Sequence, residues 1–267
     1  MIAIRSEREI GLLREANQIV AKVHATLAGM IRPGITTREL DAAAEAIILE
    51  HGAQPAFKGY KGYPASTCIS IEEVIVHGIP GKRALREGEI VSIDVGVNHR
   101  GYYGDAAVTH SCGPVDTARQ RLLEITDLAL SRAIRAAKAG NFLRDIGRAV
   151  EKTCRPEGYG VVRAFVGHGI GTAMHEDPQI PNFDSGRRGP RLKKGMVLAI
   201  EPMVNMRSHE VKVLADGWTA VTADGLPSAH FEHSVVVREE GGEILSASPE
   251  CRWGQRPELD EVRDGPR

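Results

Sequence analysis

The chain has 267 residues, enough for one substantial hydrophobic core or two small ones. Its formal net charge of −1, with 26% charged residues, leaves no electrostatic footprint for nucleic acid or an anionic membrane surface. Four widely spaced cysteines (Cys68, Cys112, Cys154, Cys251) carry no paired motif for zinc or redox work. No signal-peptide pattern opens the chain and no apolar run reaches membrane-span length, so a cytoplasmic location is expected.

Ser6 with Glu9 three residues later forms a capping box, and Ile10, Leu13, Val20, Val23 and Leu27 follow at helical spacing as far as Arg32-Pro33-Gly34. Thr36 with Glu39 opens a second helix that runs to His51-Gly52. Strands are predicted over 67–76, 89–97 and 102–111, then helices over 117–139 and 142–154. Strands return over 161–166, 196–205 and 229–237. Residues 1–247 are expected to form one domain, and the polar, Pro- and Gly-containing stretch 248–267 to be a loosely held tail.

The order helix, helix, strands occurs twice. Segment 85–94 aligns with segment 192–201, matching Leu85 to Leu192, Gly88 to Gly195, Ile93 to Ile200 and the acid Asp94 to the acid Glu201. Gly34 and Gly140 stand at nearly the same offset, each ahead of the second helix of its half. His77-Gly78-Ile79 recurs as His168-Gly169-Ile170, and an insertion between Thr172 and Arg191 brings this pair into line. A duplicated, pseudo-twofold α+β domain with its site between the halves follows.

Asp94, Asp105, His168, Glu201 and Glu232 each lie within a short apolar run that reads as a strand. Charged residues are rarely buried unless they are paired or bind a metal. A lone Asp in a hairpin is more often a turn or surface residue, so the set carries the argument rather than any one member. Alternation puts Asp94 on the face shared by Ser92 and Gly96. A type I turn at Asn98-His99-Arg100-Gly101 would pair Asp94 directly with Asp105. Two carboxylates at the ~5 Å of a cross-strand pair need a cation between them. His168 stands in a glycine-rich turn, but no Lys-Ser or Lys-Thr follows to make it a phosphate loop. His230 and His233, beside Glu232, read as partners in local hydrogen bonds. Oxygen ligands with one imidazole favour manganese, iron or cobalt, with zinc or nickel admissible. Two such ions about 3.5–4 Å apart could hold a hydroxide and clamp a carbonyl, which predicts a metal-dependent hydrolase.

Over nearly all of residues 1–240 the chain resembles the type I, bacterial methionine aminopeptidases. The resemblance rests on Tyr60-Lys61-Gly62-Tyr63-Pro64 with Cys68, His77-Gly78-Ile79-Pro80, Asp94-Val95-Gly96, Gly104-Asp105-Ala106-Ala107, Gly167-His168-Gly169-Ile170-Gly171, Met174-His175-Glu176, Glu201-Pro202 and Phe231-Glu232-His233. It implies the "pita-bread" fold: a duplicated α+β domain with an antiparallel-rich central sheet and its helices on one side. It also implies two divalent ions bridged by Asp105 and Glu232, with Asp94 completing one coordination sphere and His168 and Glu201 the other. A metal-bound hydroxide would attack the carbonyl of the first residue, Glu201 would carry the proton, and His77 and His175 would hold the substrate carbonyl or scissile amide. The methionine pocket would be built from Tyr60, Tyr63, Cys68 and Trp218 with Phe57 and Met174. Phe57 and Met174 depart from the commoner Cys and Phe of the family, moving bulk from one wall to the other. No Cys/His-rich N-terminal module is present, and the stretch between Glu201 and Glu232 is too short for the helical insertion of type II.

The implied activity is removal of the initiator methionine from nascent chains whose second residue is small, by a monomer that meets the ribosome transiently and recognises no nucleic acid sequence. Two other readings compete. A binding module derived from the fold would have lost ligands, and all five are here. A proline-directed relative would carry a further N-terminal domain for which this chain has no room.

Overall fold

The structure, a computed structural model, describes residues 2–249 and 253–255. Helices α1 (Glu7–Met30) and α2 (Thr37–Glu50) begin at the two predicted capping boxes, where Ser6 and Thr36 exchange hydrogen bonds with Glu9 and Glu39. Helices α3 (Thr117–Ala136) and α4 (Leu143–Cys154) repeat the arrangement in the second half.

The duplication is written into the hydrogen bonds. Gly34 N–H donates to the Leu85 carbonyl at 2.9 Å, and Gly140 N–H to the Leu192 carbonyl at 3.0 Å. Leu85 N–H returns to Ile35 and Leu192 N–H to Asn141, both at 2.8 Å. Bridges Thr36–Ala84 and Phe142–Arg191 close the two copies, and the glycines share a left-handed φ of 91° and 93°.

Each half has its own core. Val20, Val23 and Leu27 of α1 and Leu40 and Ile48 of α2 pack on Val91, Ile93, Val95 and Val97 of the Ile90–His99 strand. In the second half, Leu122, Ile125 and Leu130 of α3 and Ile146 and Val150 of α4 pack on Leu198, Ile200, Val235 and Val237. Strand alternation therefore turns Ser92, Asp94 and Gly96 away from the helices. The helices lie on one side of the strands, as expected, and the other side is left for the site.

Several local expectations are corrected. Ile90–His99 and Tyr102–Ser111 form one long hairpin, but Asp94 pairs with Ala107 and Asp105 with Gly96. The turn is a two-residue loop at Arg100 and Gly101, with φ of 54° and 81°, so the two acids are diagonal neighbours rather than directly opposed. The run 67–76 divides into Thr67–Ile71 and Val74–Val76, which join different sheets. Of 161–166 only Val161 is strand, in the pair Gly160–Val161, and Glu176–Ile180 is an edge strand that the pattern did not announce.

The runs 196–205 and 229–237 also divide, and they divide together. Val197–Ile200 and His233–Val237 lie in a five-stranded sheet, whereas Met203–Asn205 and Ser228–His230 lie in a three-stranded one. Ile200 pairs with His233 and Met203 with His230, so both chains change sheet at the same place. Glu201 and Glu232 occupy those crossings instead of strand interiors. Pro202, which has no N–H to give a ladder, accounts for the first break.

The tail also differs from expectation where it is described. Trp253 and Gly254 are docked: the Trp253 ring stacks on His233 with centroids 4.9 Å apart, and Gly254 N–H donates to the Asp127 carboxylate. Residues 250–252 and 256–267, including Cys251, lie outside the described residues.

Candidate metal centre

The five residues singled out in the sequence converge on one cleft. Asp94, Asp105, His168, Glu201 and Glu232 line a cavity of about 180 Å³ together with Phe57, Tyr60, Tyr63, Cys68, His77, Met174, His175 and Trp218. Lys61 joins them; it was not picked out in the sequence, where only its place between two tyrosines of the Gly59–Tyr63 turn could have marked it.

Asp105, His168 and Glu232 form the tightest group, with one potential ligand atom from each within 4.8 Å of the others. Their exposures are 3%, 7% and 2%, so these charges are withdrawn from water. His168 Nδ1–H donates to the Gly169 carbonyl at 2.9 Å, which fixes the tautomer and leaves Nε2 bare. That Nε2 faces Glu201 Oε1 at 3.6 Å and Asp105 Oδ2 at 3.8 Å. His230 Nε2 lies 3.7 Å from Glu201 Oε2.

The carboxyl groups are held against their preference. Burial raises Asp94 to about 7, although the neighbouring His230 opposes the rise. Burial raises Glu201 to about 8. Asp105 and Glu232 are pushed well up, by burial first and then by the surrounding carboxylates. Asp94 Oδ1, Asp105 Oδ1 and Glu232 Oε1 are buried without a hydrogen-bond partner among the described residues. Buried acceptors with no donor, in a group of like charges, fit a divalent cation. Burial also lowers His168 to about 3, which keeps the imidazole neutral and able to ligate.

Side chains outside the cleft hold the backbone of these residues. Asp105 N–H donates to Asn17 Oδ1 and Ser234 Oγ, both at 3.3 Å, and its carbonyl accepts from Ser234 at 2.8 Å. Asn182 Nδ2 donates to the Glu201 carbonyl at 3.0 Å. His233 is satisfied by Ser246 and the Trp253 carbonyl, as its local role predicted, but His230 Nε2 has no hydrogen-bond partner among the described residues and is part of the charged cluster.

The apolar end of the cleft is Phe57, Tyr63, Cys68 and Met174, with Tyr60 and Trp218 packed against them. Tyr63 is anchored through its hydroxyl to the Thr67 and Gly78 carbonyls at 3.0 and 2.9 Å. Cys68 pairs with Asp94 across the sheet, and burial pushes its thiol well above the ordinary range. At the rim, His175 Nδ1 lies 2.9 Å from the Tyr60 hydroxyl, and its ring is 4.2 Å from that of His168. His77, at a positive φ of 60°, sits edge-on to Phe165 and Trp218. Burial lowers it to about 4, so it is neutral.

Comparison with known proteins gives the same picture from a different direction. Methionine aminopeptidase 1 of Bacillus subtilis is 49% identical over 246 residues, covering 92% of this chain and 99% of that protein. Methionine aminopeptidase of Clostridium perfringens matches equally well, with 49% identity over the same share of this chain. Among solved structures, methionine aminopeptidase from Thermotoga maritima superposes with a TM-score of 0.91 at 43% identity, covering 93% of this chain and all of its own. Prolidase from Pyrococcus furiosus shares the fold at a TM-score of 0.76 and 26% identity, but this chain spans only 65% of it. The profile described as "Metallopeptidase family M24" matches residues 11–239, a span that takes in every cleft residue from Phe57 to Glu232. The chain belongs to metallopeptidase family M24.

Proposed function

We propose that this chain is a methionine aminopeptidase, a metal-dependent hydrolase that releases the N-terminal methionine of nascent polypeptides whose second residue is small. The cluster of buried carboxylates with unpartnered oxygens, at the floor of a pocket walled by Phe57, Tyr63, Cys68 and Met174, is the observation that carries this reading. Near-complete coverage of methionine aminopeptidases at 49% identity supports it.

In this reading Asp94, Asp105, His168, Glu201 and Glu232 would hold two divalent ions, manganese, iron or cobalt by ligand chemistry. Such ions would polarise the substrate carbonyl and lower the pKa of water. The remaining work belongs to the protein. Glu201 carries the proton, a role open to a ligating carboxylate whose second oxygen faces the water. With the Tyr60 hydroxyl donating to His175 Nδ1, Nε2–H of His175 is left to donate to the substrate carbonyl as charge develops there. Neutral His77 lines the same cleft and donates to the scissile amide. The apolar wall selects the methionine side chain, with Trp218 and Tyr60 bounding it. A monomer in the cytoplasm that meets the ribosome only transiently completes the reading.

Release of methionine from Met-Ala-Ser by metal-stripped protein, titrated with Mn²⁺, Fe²⁺, Co²⁺ and Zn²⁺, tests it. Metal-dependent cleavage of Met-Ala-Ser but not of Met-Leu-Ser is expected. Preference for Xaa-Pro peptides would move the assignment to the proline-directed relatives, and no turnover from folded protein with any metal would overturn it.

A further inference from the structure

Glu232 follows the pattern set by Asp105 and Glu201, in that a distant side chain holds its backbone, but its partner lies in the C-terminal stretch. Glu232 N–H donates to the Ala107 carbonyl at 2.8 Å, and its own carbonyl accepts from Trp253 Nε1–H at 3.1 Å. Glu232 sits between the strands Ser228–His230 and His233–Val237, so no ladder bond is there to take that carbonyl. Trp253 stands beyond residue 239, where the family match ends.

The indole is itself held on several sides. It stacks on His233 at an interplanar angle of 9° and meets His24 edge-on at 5.2 Å. The Trp253 carbonyl accepts from His233 Nε2–H at 2.8 Å, and the next N–H, of Gly254, donates to Asp127. Gly254 has a φ of 70°, and a Cβ there would lie 2.7 Å from His233 Cδ2, so the close approach needs glycine. Trp253 packs against the cores of both halves. The donor is therefore fixed in direction.

We propose that Trp253 is a positioning residue for the metal centre: its indole N–H fixes the backbone of Glu232 and so aims the carboxylate at Asp105 and His168. The proposal rests on reading Glu232 as a metal ligand. Without the donor, the Glu232 carbonyl is a buried acceptor with no partner, and the irregular segment turns to satisfy it, carrying the carboxylate with it. Partners of this outer kind typically change metal affinity about 10- to 100-fold.

The test is Co²⁺ titration of the metal-stripped full-length protein, followed by calorimetry and by the visible absorption of bound cobalt. Trp253→Phe removes the donor and keeps a ring on His233, whereas Trp253→Ala removes both. Both variants are expected to bind Co²⁺ about 10-fold or more weakly with an altered cobalt spectrum, while metal-free Trp253→Phe melts near the wild type. Wild-type affinity in Trp253→Phe with loss only in Trp253→Ala would mean packing alone and overturn the proposal. Glu232→Gln separates the two readings. If it binds Co²⁺ normally, the ligand assignment falls and the proposal with it. If it loses binding while Trp253→Phe does not, only the role of Trp253 falls. The chain has two tryptophans, so Trp218→Phe, a change in the cleft wall, leaves one indole N–H signal, that of Trp253. Slow hydrogen exchange there supports the bond even should Trp253→Phe fail to fold, and exchange at the rate of a free indole overturns it.

Discussion

Replacing Gly96 with alanine is expected to weaken methionine binding. Gly96 shares a face with Asp94 and lies opposite Asp105, so a side chain at this position enters the cleft. A Cβ built there would lie 2.6 Å from Phe57 Cε1, 2.9 Å from Phe57 Cζ and 3.0 Å from Met174 Cε. Carbon atoms rest at about 3.5–4.0 Å, so the Phe57 ring has to withdraw by about 1 Å. Met174 is an unbranched chain end and yields cheaply; the ring moves as a block. Overpacking of this size costs about 1–3 kcal/mol. Expressed in substrate binding, that is a rise in KM for Met-Ala-Ser of about fivefold to a hundredfold. Phe57→Leu in the same chain makes room for the new methyl group, and the double variant should recover part of the loss as a non-additive pair. Steady-state kinetics with thermal melts of the four proteins measure this. Unchanged KM and melting temperature in Gly96→Ala, or strict additivity with Phe57→Leu, would show that Phe57 and Met174 do not bound the methionine pocket.

His168→Ala and Asp105→Asn should each abolish turnover and lower bound metal while circular dichroism stays native; near-normal rates with unchanged metal content would sink the ligand assignment. The metal-free protein should lose stability between about pH 6.5 and 8. Raised folded-state values at Glu201 (about 8) and Asp94 (about 7) mean that the folded chain holds protons that the unfolded chain has already released. Stability therefore falls as pH rises, by about 2 kcal/mol for a group that stays protonated over that window. Below about pH 6.5 the buried neutral histidines act in the opposite sense, so the window is chosen above it. Metal-free melting temperatures that climb from pH 6.5 to 8 would contradict the sign. Cys68→Ser should keep substantial activity, because a buried thiol with its pKa pushed up is not a nucleophile; complete inactivation of a folded variant would point to thiol chemistry.

Most of the helical frame was legible because its signals are local. Ser6 with Glu9 and Thr36 with Glu39 are complete in four residues each, and the glycines at 34 and 140 mark turns that only their φ permits. The five residues that meet in the cleft were legible for a different reason: charge is conspicuous in apolar runs. What could not be read depended on partners elsewhere. The hairpin register failed because Arg100 takes a positive φ, which no local rule assigns to an arginine. The Asn98 signal was real, since its side chain accepts from Gly101 N–H at 3.3 Å, but it decorates a tighter turn than the one inferred. Pro202 was a visible cue to the break at Glu201, while nothing at Phe231-Glu232 announces the matching break; it is imposed by pairing with the first. His230 looked like any histidine near a strand, and only the fold brings it to Glu201. The docking of Trp253 and Gly254 rests on contacts with His24, Asp127 and His233, all distant in sequence.

The seam between the duplicated halves has a consequence for chain entropy. Asp94 and Asp105 come from the first half, and His168, Glu201 and Glu232 from the second. A cation held by both groups would close a long loop of chain, as a disulfide does, but reversibly and with an equilibrium set by the free ion. Each tenfold increase in free ion above its dissociation constant then adds about 1.4 kcal/mol to folding. Resistance to heat and proteolysis would become a gauge of metal supply, readable with no substrate present.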